Sequence, residues 1–196
     1  ISDPPSHTIS QDISIKPDVI LKLPNLIRTP GLKICTIKTN YELRREDEMA
    51  DLAGKVAIVT GGSLGIGSAA AISLANSGAN VTIMDINESA GEEVVNTINS
   101  SGGSSHLILG DASASKDCKA SVLETVKLFG GLDILFNNVG IQPPGSYTNV
   151  EDTSEEMWDQ ILSVNLKSRF LMAKYSIPEM RKRGGGVIIS TASVQG

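Results

Sequence analysis

A short apolar run, Lys55–Thr60 (KVAIVT), opens directly into Gly61-Gly62-Ser63-Leu64-Gly65-Ile66-Gly67 and then into a helix-forming stretch. The run reads as a buried strand, and the glycines let the chain turn at once into a helix. Gly61 and Gly65 permit backbone angles and close approaches that a β-carbon forbids. Gly67, on the first helical turn, allows helix and strand to pack closely. Ser63, Leu64 and Ile66 fill the loop between the glycines and are, with them, candidate cofactor-binding residues. The unpaired N–H groups of that turn, together with the helix dipole, favour a pyrophosphate.

A second strand, Val81–Asp85 (VTIMD), comes next, with Asp85 at its tip. The spacing from the loop is the roughly 20 residues at which an acid can accept hydrogen bonds from a ribose diol. The glycine pattern is G-x-x-x-G-x-G rather than the commoner G-x-G-x-x-G, and alone it would describe an ordinary glycine-rich turn. A strand before it, a helix after it and an acid in the right place make it a dinucleotide site. No cation adjoins the acid, since Ile86 follows it and Ser63 sits in the loop. A carboxylate there repels a 2′-phosphate, so NAD is favoured over NADP. The plainer alternative is a helix-capping Asp85, although Asn87 is better placed to cap the next helix.

From Met49 onward strands and helices alternate. Strands read at 55–60, 80–85, 105–110, 133–137 and 187–192 as continuous apolar runs, the pattern of a parallel sheet covered on both faces. Helices read at about 65–77, 88–100, 114–129 and 154–183. Asn87 and Ser113 are the expected caps, and Thr153-x-x-Glu156 an expected capping box. Gly78, Gly102, Gly130 and Gly184 close the four helices in turn. The alternation predicts an α/β fold, a Rossmann-type doubly wound parallel sheet with right-handed crossovers, truncated after the fifth strand.

Residues 1–48 are different in kind. They hold five of the eight prolines and no sustained periodicity, and seven basic residues balance seven acidic ones. Prolines at that density break helices and central strands. The segment lacks the Arg-rich balance of a transit peptide and the apolar core of a secretory signal. It is expected to be a Pro-rich extension, disordered or not native, with the native start at Met49 and residues 49–196 forming an incomplete NAD(P)-binding domain.

Charge and composition limit the partners. A net charge of −5 argues against nucleic acid or an anionic membrane. No apolar stretch approaches the ~20 residues of a membrane span. Cys35 and Cys118 have no metal spacing and point to a reducing, cytoplasmic compartment. His7 and His106 lie far apart, so no metal is expected.

Residues 49–196 resemble the amino-terminal two-thirds of a short-chain dehydrogenase/reductase. The resemblance rests on Thr60-Gly61-x-x-x-Gly65-x-Gly67, Asp111 after the third strand, and Asn137-Asn138-Val139-Gly140 after the fourth. Asn165 in the long helix and Ser193 after the fifth strand complete it. It implies that Asp111 and Ala112 contact the adenine and that Asn138 and Gly140 lie under the adenine ribose, Asn138 also tying strands together. Val139 replaces the usual alanine. Asn165 interrupts an apolar helix face (Ile161, Leu162, Leu166, Phe170), and the family uses such an Asn to hold a water in a proton relay. Ser193 would hydrogen-bond the substrate oxygen, while Thr191 packs in the strand. A strand-ending role for Asp111 and a structural role for Asn165 stay open.

The implied reaction moves a hydride between a secondary alcohol or ketone and NAD. In the family a tyrosine, its pKa lowered by a lysine one turn on, handles the proton. That Tyr-x-x-x-Lys pair is expected after Ser193. Tyr41, Tyr147 and Tyr175 are instead followed four residues later by Arg45, Glu151 and Glu179. The 196-residue chain is therefore expected to be inactive, and an incomplete sequence is the favoured explanation. A non-catalytic nucleotide-binding or regulatory fragment is the alternative. A complete form is expected to be a homo-oligomer. Gln142, Pro143 and Pro144 are the pocket candidates, and a proline-stiffened loop accounts for them equally well.

Overall fold

All five apolar runs become strands, and every pairing is parallel. The computed structural model describes residues 51–146 and 148–192. The chain runs β1 (Val56–Thr60), α1 (Gly65–Asn76), β2 (Asn80–Asp85), α2 (Glu88–Ser100), β3 (Ser104–Leu109), α3 (Ser115–Phe129) and β4 (Ile134–Asn137). Then come α4 (Glu155–Leu162), a π-helical turn (Ser163–Lys167), α5 (Ser168–Lys182) and β5 (Val187–Ser190). The sheet order is β3-β2-β1-β4-β5.

Side-chain alternation explains the two-sided burial of β1, β2 and β4; of the edge strands, β3 is partly and β5 largely exposed, against the expectation of a sheet covered on both faces. Ala57, Val59, Val81 and Ile83 point to the face covered by Ala71 and Leu74 of α1 and Val94, Val95 and Ile98 of α2. Ile58, Met84 and Leu135 point to the other face, against Cys118 and Val122 of α3 and Leu171, Met172 and Met180 of α5. A strand buried on both sides must be apolar at every position, which is why the runs are continuous rather than alternating. Thr60, Thr82 and Asn137 are the buried polar exceptions in these strands, and the Thr82 hydroxyl lies 2.9 Å from that of Thr125 on α3.

The order places the chain reversal between β1 and β4. After β1 the chain leaves to one face of the sheet, and after β4 to the other, so a crevice opens outside their carboxyl ends. Register aligns Thr60 with Met84 on one side and Asn137 on the other, and Asn137 with Ser190. The opposite edge is clamped by Asp133. Its carboxylate accepts the Val56 N–H at 2.9 Å and the Arg183 Nη2 at 2.9 Å, and its backbone carbonyl accepts the Val187 N–H at 2.8 Å. One buried acid thus ties the starts of β1, β4 and β5 together, fixing the register that reaches the crevice.

Several local expectations are corrected. The helix expected at 154–183 is three pieces, because the ladder widens to an i to i+5 bond, Ser168 N–H to Ser163 carbonyl, around Asn165. Its apolar face is not buried: Leu162, Leu166 and Phe170 are 36%, 62% and 62% exposed. Ser113 does not cap α3; its N–H is bound by Asp111, and Ala114 takes the cap position. Ser154, not Thr153, caps α4, accepting from Met157 N–H, while Thr153 turns back to the Asn149 carbonyl. Glu156 therefore does not close a capping box; its carboxyl is held below the usual range by its own backbone and by Ser154. The last strand ends at Ser190, so Thr191 is not a strand residue. Asn87 does cap α2, accepting from Ala90 N–H at 3.1 Å. Gly78, Gly102, Gly130 and Gly184 take φ of 96°, 86°, 80° and 88° at the four helix ends.

Candidate active site

The glycine loop is built from the crevice outward. Gly61 has φ 64°, and its N–H reaches the Met84 carbonyl at 2.9 Å, bending the chain over β2. A β-carbon on Gly61 would sit 2.9 Å from Val139 Cα, and one on Gly67 would sit 2.0 Å from the Gly61 carbonyl oxygen. Gly67 thus lets α1 start directly against β1. Gly65 has φ 56° and open space around it, so its glycine serves the backbone angle. Leu64 precedes α1 without any side-chain cap. The first N–H groups of the helix therefore face outward with the positive end of the helix dipole behind them. Leu64 and Ile66 flank them at 65% and 63% exposure.

Asp85 joins this loop to β2. Its Oδ2 accepts the Ser63 N–H at 3.0 Å and its Oδ1 the Asn87 N–H at 3.0 Å. A carboxylate offers about four acceptor sites, so two remain for hydroxyl donors. Ser63 is buried, its hydroxyl 3.4 Å from the Asn87 carbonyl, so it braces the loop through its side chain and backbone alike. No cation pairs with Asp85 among the described residues, and exposed Ile86 follows it.

Asp111 and Ala112 leave β3 on the same edge. Asp111 is exposed, its carboxylate accepting Ser113 N–H at 2.8 Å and its own N–H given to Asp117 at 3.0 Å. Ala112 is buried in the core against α3, leaving its backbone rather than its methyl on the edge.

Asn138 is the central brace. Its Nδ2 donates to the Gly61 carbonyl at 3.1 Å, its Oδ1 accepts from Thr191 Oγ1 at 3.1 Å, and its N–H reaches buried Thr60 Oγ1 at 3.1 Å. It links the glycine loop, β4 and the exit of β5. Gly140 follows, and a β-carbon there would lie 3.5 Å from Asn165 Oδ1.

Asn165 spends its amide on the backbone. Oδ1 accepts the Ile141 N–H at 2.7 Å, and Nδ2 donates to the Ile141 carbonyl at 2.9 Å. The π turn brings the side chain onto the loop after β4. Two carbonyls of that turn are taken by side chains one turn on: Ser168 Oγ donates to Val164 and Arg169 Nη1 to Asn165. Arg169 was not among the expected site residues; beside Lys167 and Lys174 it reads as one more helix cation. Its Nη2 also donates to the Thr191 carbonyl at 2.8 Å, and burial lowers its pKa below the ordinary arginine value.

The remaining candidates fall elsewhere. Ser193 and residues 1–48 lie outside the described residues, as do Tyr41 and Tyr147. Tyr175 packs on the α3–α5 core, its hydroxyl 2.7 Å from Ser115 Oγ. His106 faces Glu124 at 3.4 Å on an exposed surface. No cluster of metal-ligating side chains and no helix long and apolar enough to cross a membrane occurs among the described residues. A groove lined by Leu162, Leu166 and Phe170 beside Asp159 and Lys167 runs along α4, the π turn and α5, away from the glycine loop. The glycine loop, Asp85, Asp111 and Asn138 lie instead at the carboxyl ends of the strands.

A doubly wound parallel sheet with a glycine loop at its switch point defines the class, a Rossmann-type α/β domain. The family model for short chain dehydrogenase matches residues 55–196, and the chain belongs to that family. An uncharacterized oxidoreductase of Thermotoga maritima is 48% identical over 143 residues, which are 73% of this chain and 55% of that protein. A 2,5-dichloro-2,5-cyclohexadiene-1,4-diol dehydrogenase of Sphingobium indicum is 44% identical over 76% of this chain and 58% of its own length. A cyclohexanol dehydrogenase of Acinetobacter sp. is 38% identical over 72% and 56%. Among solved structures, a Burkholderia xenovorans chain described as a short-chain dehydrogenase/reductase superposes with TM-score 0.70 at 35% identity, covering 76% of this chain and 60% of that one. The chain thus spans a little under three-fifths of the length of these curated relatives.

Proposed function

We propose that this chain carries the nucleotide-binding part of an NAD-dependent oxidoreductase acting on a secondary alcohol or ketone. The observation that carries the reading is the uncapped start of α1 beside a carboxylate held by the same loop. The residues present fit the cofactor. The N–H groups from Gly65 to Gly67 would hold the pyrophosphate, and the free acceptor sites of Asp85 the adenosine ribose. Asp111 and Ala112 would border the adenine, and Asn138 and Gly140 the middle of the cofactor. When bound, NAD supplies a hydride acceptor. This chain's contribution is to grip the dinucleotide and to fix the β4 loop through Asn138 and Asn165. Ser193 would orient the substrate oxygen.

NAD is favoured because a 2′-phosphate would meet Asp85 with no cation at hand. Cyclic secondary alcohols are the first substrates to test, since two relatives are named for a cyclohexanol and a cyclohexadienediol. A homo-oligomer is the natural assembly, with Trp158, Leu162, Leu166 and Phe170 exposed along one side of α4 and α5. No tyrosine in the sequence has a lysine four places on. This 196-residue chain is therefore proposed to bind nucleotide without turning over alcohol.

Titration calorimetry with NAD, NADP and ADP tests the site. NAD is expected to bind more tightly than NADP, and Asp85→Ala to narrow the gap. Equal or tighter NADP binding by the parent chain would refute the assignment. Turnover of any secondary alcohol by the 196-residue chain would refute the claim that it lacks the group that handles the proton.

A further inference from the structure

The described part of the site closes into a ring of hydrogen bonds with one charged member. Gly61 is bonded to Asn138, Asn138 to Thr191, Thr191 to Arg169, Arg169 to Asn165, and Asn165 to Ile141 beyond Gly140. The other members are neutral and belong to the glycine loop, the β4 loop, the π turn and the exit of β5. Among the described residues, Arg169 is the side chain that hydrogen-bonds both the π turn and the exit of β5.

We propose that Arg169 is a positioning residue whose guanidinium pins the main chain leaving β5, two residues before Ser193, to the π turn that carries Asn165.

The chemistry of the side chain supports this role. No carboxylate pairs with Arg169 among the described residues. Partial burial of an unpaired cation is unfavourable unless its donors meet good acceptors. Here two of those donors meet backbone carbonyls on different elements. A planar fork can span two such carbonyls in fixed directions, whereas an ammonium on a flexible stem is a single point. Thr191 is consequently held at three atoms. Its N–H goes to the Asn137 carbonyl at 3.0 Å, its Oγ1 to Asn138 at 3.1 Å and its carbonyl to Arg169 at 2.8 Å. The first two bonds extend the sheet and the Asn138 brace. The third fixes the peptide plane that sets the direction in which the chain leaves through Ala192. Arg169 lies one turn beyond Asn165, at the start of α5, so its Nη1 meets the Asn165 carbonyl of the π turn on the same side of the helix.

The link to Ser193 rests on the function proposed above; the pinning of Thr191 does not. Amide hydrogen exchange of the 196-residue chain tests the pinning. Arg169→Leu is expected to speed exchange of the Thr191 amide about tenfold or more, the scale of one charge-assisted hydrogen bond, and to leave Val56–Thr60 unchanged. Arg169→Lys should show the same local pattern at smaller size, and it carries the test alone if Arg169→Leu does not fold. Unchanged exchange at Thr191, or equal acceleration through β1, would overturn the proposal. A second readout separates positioning from general stability. Arg169→Leu should weaken NADH binding several-fold and leave ADP binding unchanged, because only the longer ligand extends past Asn138. Equal NADH affinity for parent and variant would overturn the connection to the site. A parent chain that binds neither nucleotide would refute the proposed function, and the exchange data would still decide the role of Arg169.

Discussion

Replacing Gly67 by alanine puts two opposing effects in direct competition. Gly67 lies inside α1, where alanine is the better helix former by about 1 kcal/mol. Propensity alone therefore predicts a stabilised protein. The packing says otherwise. The new methyl would sit 2.0 Å from the Gly61 carbonyl oxygen and 2.7 Å from Asn138 Nδ2. Van der Waals contact needs about 3.5 Å, so α1 would have to retreat by more than about 1 Å. The obstructing atom is a backbone carbonyl, itself the acceptor for Asn138, and cannot rotate away. Retreat would also loosen Ala71, Leu74 and Ala75 from the core under α1. Overpacking of this kind costs about 1–3 kcal/mol and sometimes more. With the obstruction in the backbone, the upper end applies, leaving a net loss of about 2 kcal/mol after the propensity gain. Gly65→Ala is the control. It has φ 56° and no neighbour within 4 Å, so it carries only the left-handed backbone penalty of about 1–2 kcal/mol. Urea unfolding followed by circular dichroism should rank wild type above Gly65→Ala above Gly67→Ala. ADP calorimetry should show the larger loss for Gly67→Ala, because its shift would displace the N–H groups proposed to hold the phosphates. A Gly67→Ala protein as stable as wild type would refute the close-packing argument.

Asn165→Ala should destabilise by about 1–3 kcal/mol, since the Ile141 N–H and carbonyl both lose their partner, and exchange at the Ile141 amide should rise most. Cys118 is fully buried, donates to the Ala112 carbonyl, and has its thiol pushed up to about 11, first by burial and then by Asp111 and Asp117. It should resist thiol reagents at about pH 8 in the native protein and react only on unfolding. The same shift sets a sign for alkaline stability. The unfolded thiol titrates near 9.0 and the folded one near 11, so the native state keeps its proton longer and stability falls as pH rises between those values. A Cys118→Ala protein should lack that part of the alkaline loss when urea titrations at about pH 8 and about pH 10 are compared.

The order of strands and helices was legible in the residues themselves. Doubly buried strands are apolar at nearly every position, and glycine at a helix end has a backbone reason, so β1, β2 and β4 and the stops at Gly78, Gly102, Gly130 and Gly184 could be read locally, and the more exposed edge strands β3 and β5 still show as short apolar runs. The glycine loop and Asp85 were legible for the same reason: their spacing encodes a strand, a turn and a helix. Other features depend on neighbours distant in sequence. The break in the long helix at Asn165 follows from an amide that bonds Ile141, 24 residues earlier, and no periodicity reveals such a partner. Ser63 looked like a loop residue free to face a ligand, yet its N–H is taken by Asp85 and its side chain is buried. Leu162, Leu166 and Phe170 looked like a core face and instead lie exposed, because the sheet is already covered there by Leu171, Met172 and Met180. Arg169 was invisible in the sequence. A cation in a helix reads as a solvated side chain until the fold brings two carbonyls, one in a π turn and one beyond the last strand, within reach of its fork. Local propensity and burial pattern determine the elements, but hydrogen bonds between residues far apart in the chain decide how the edge of the sheet is held, and those exist only once the sheet has assembled.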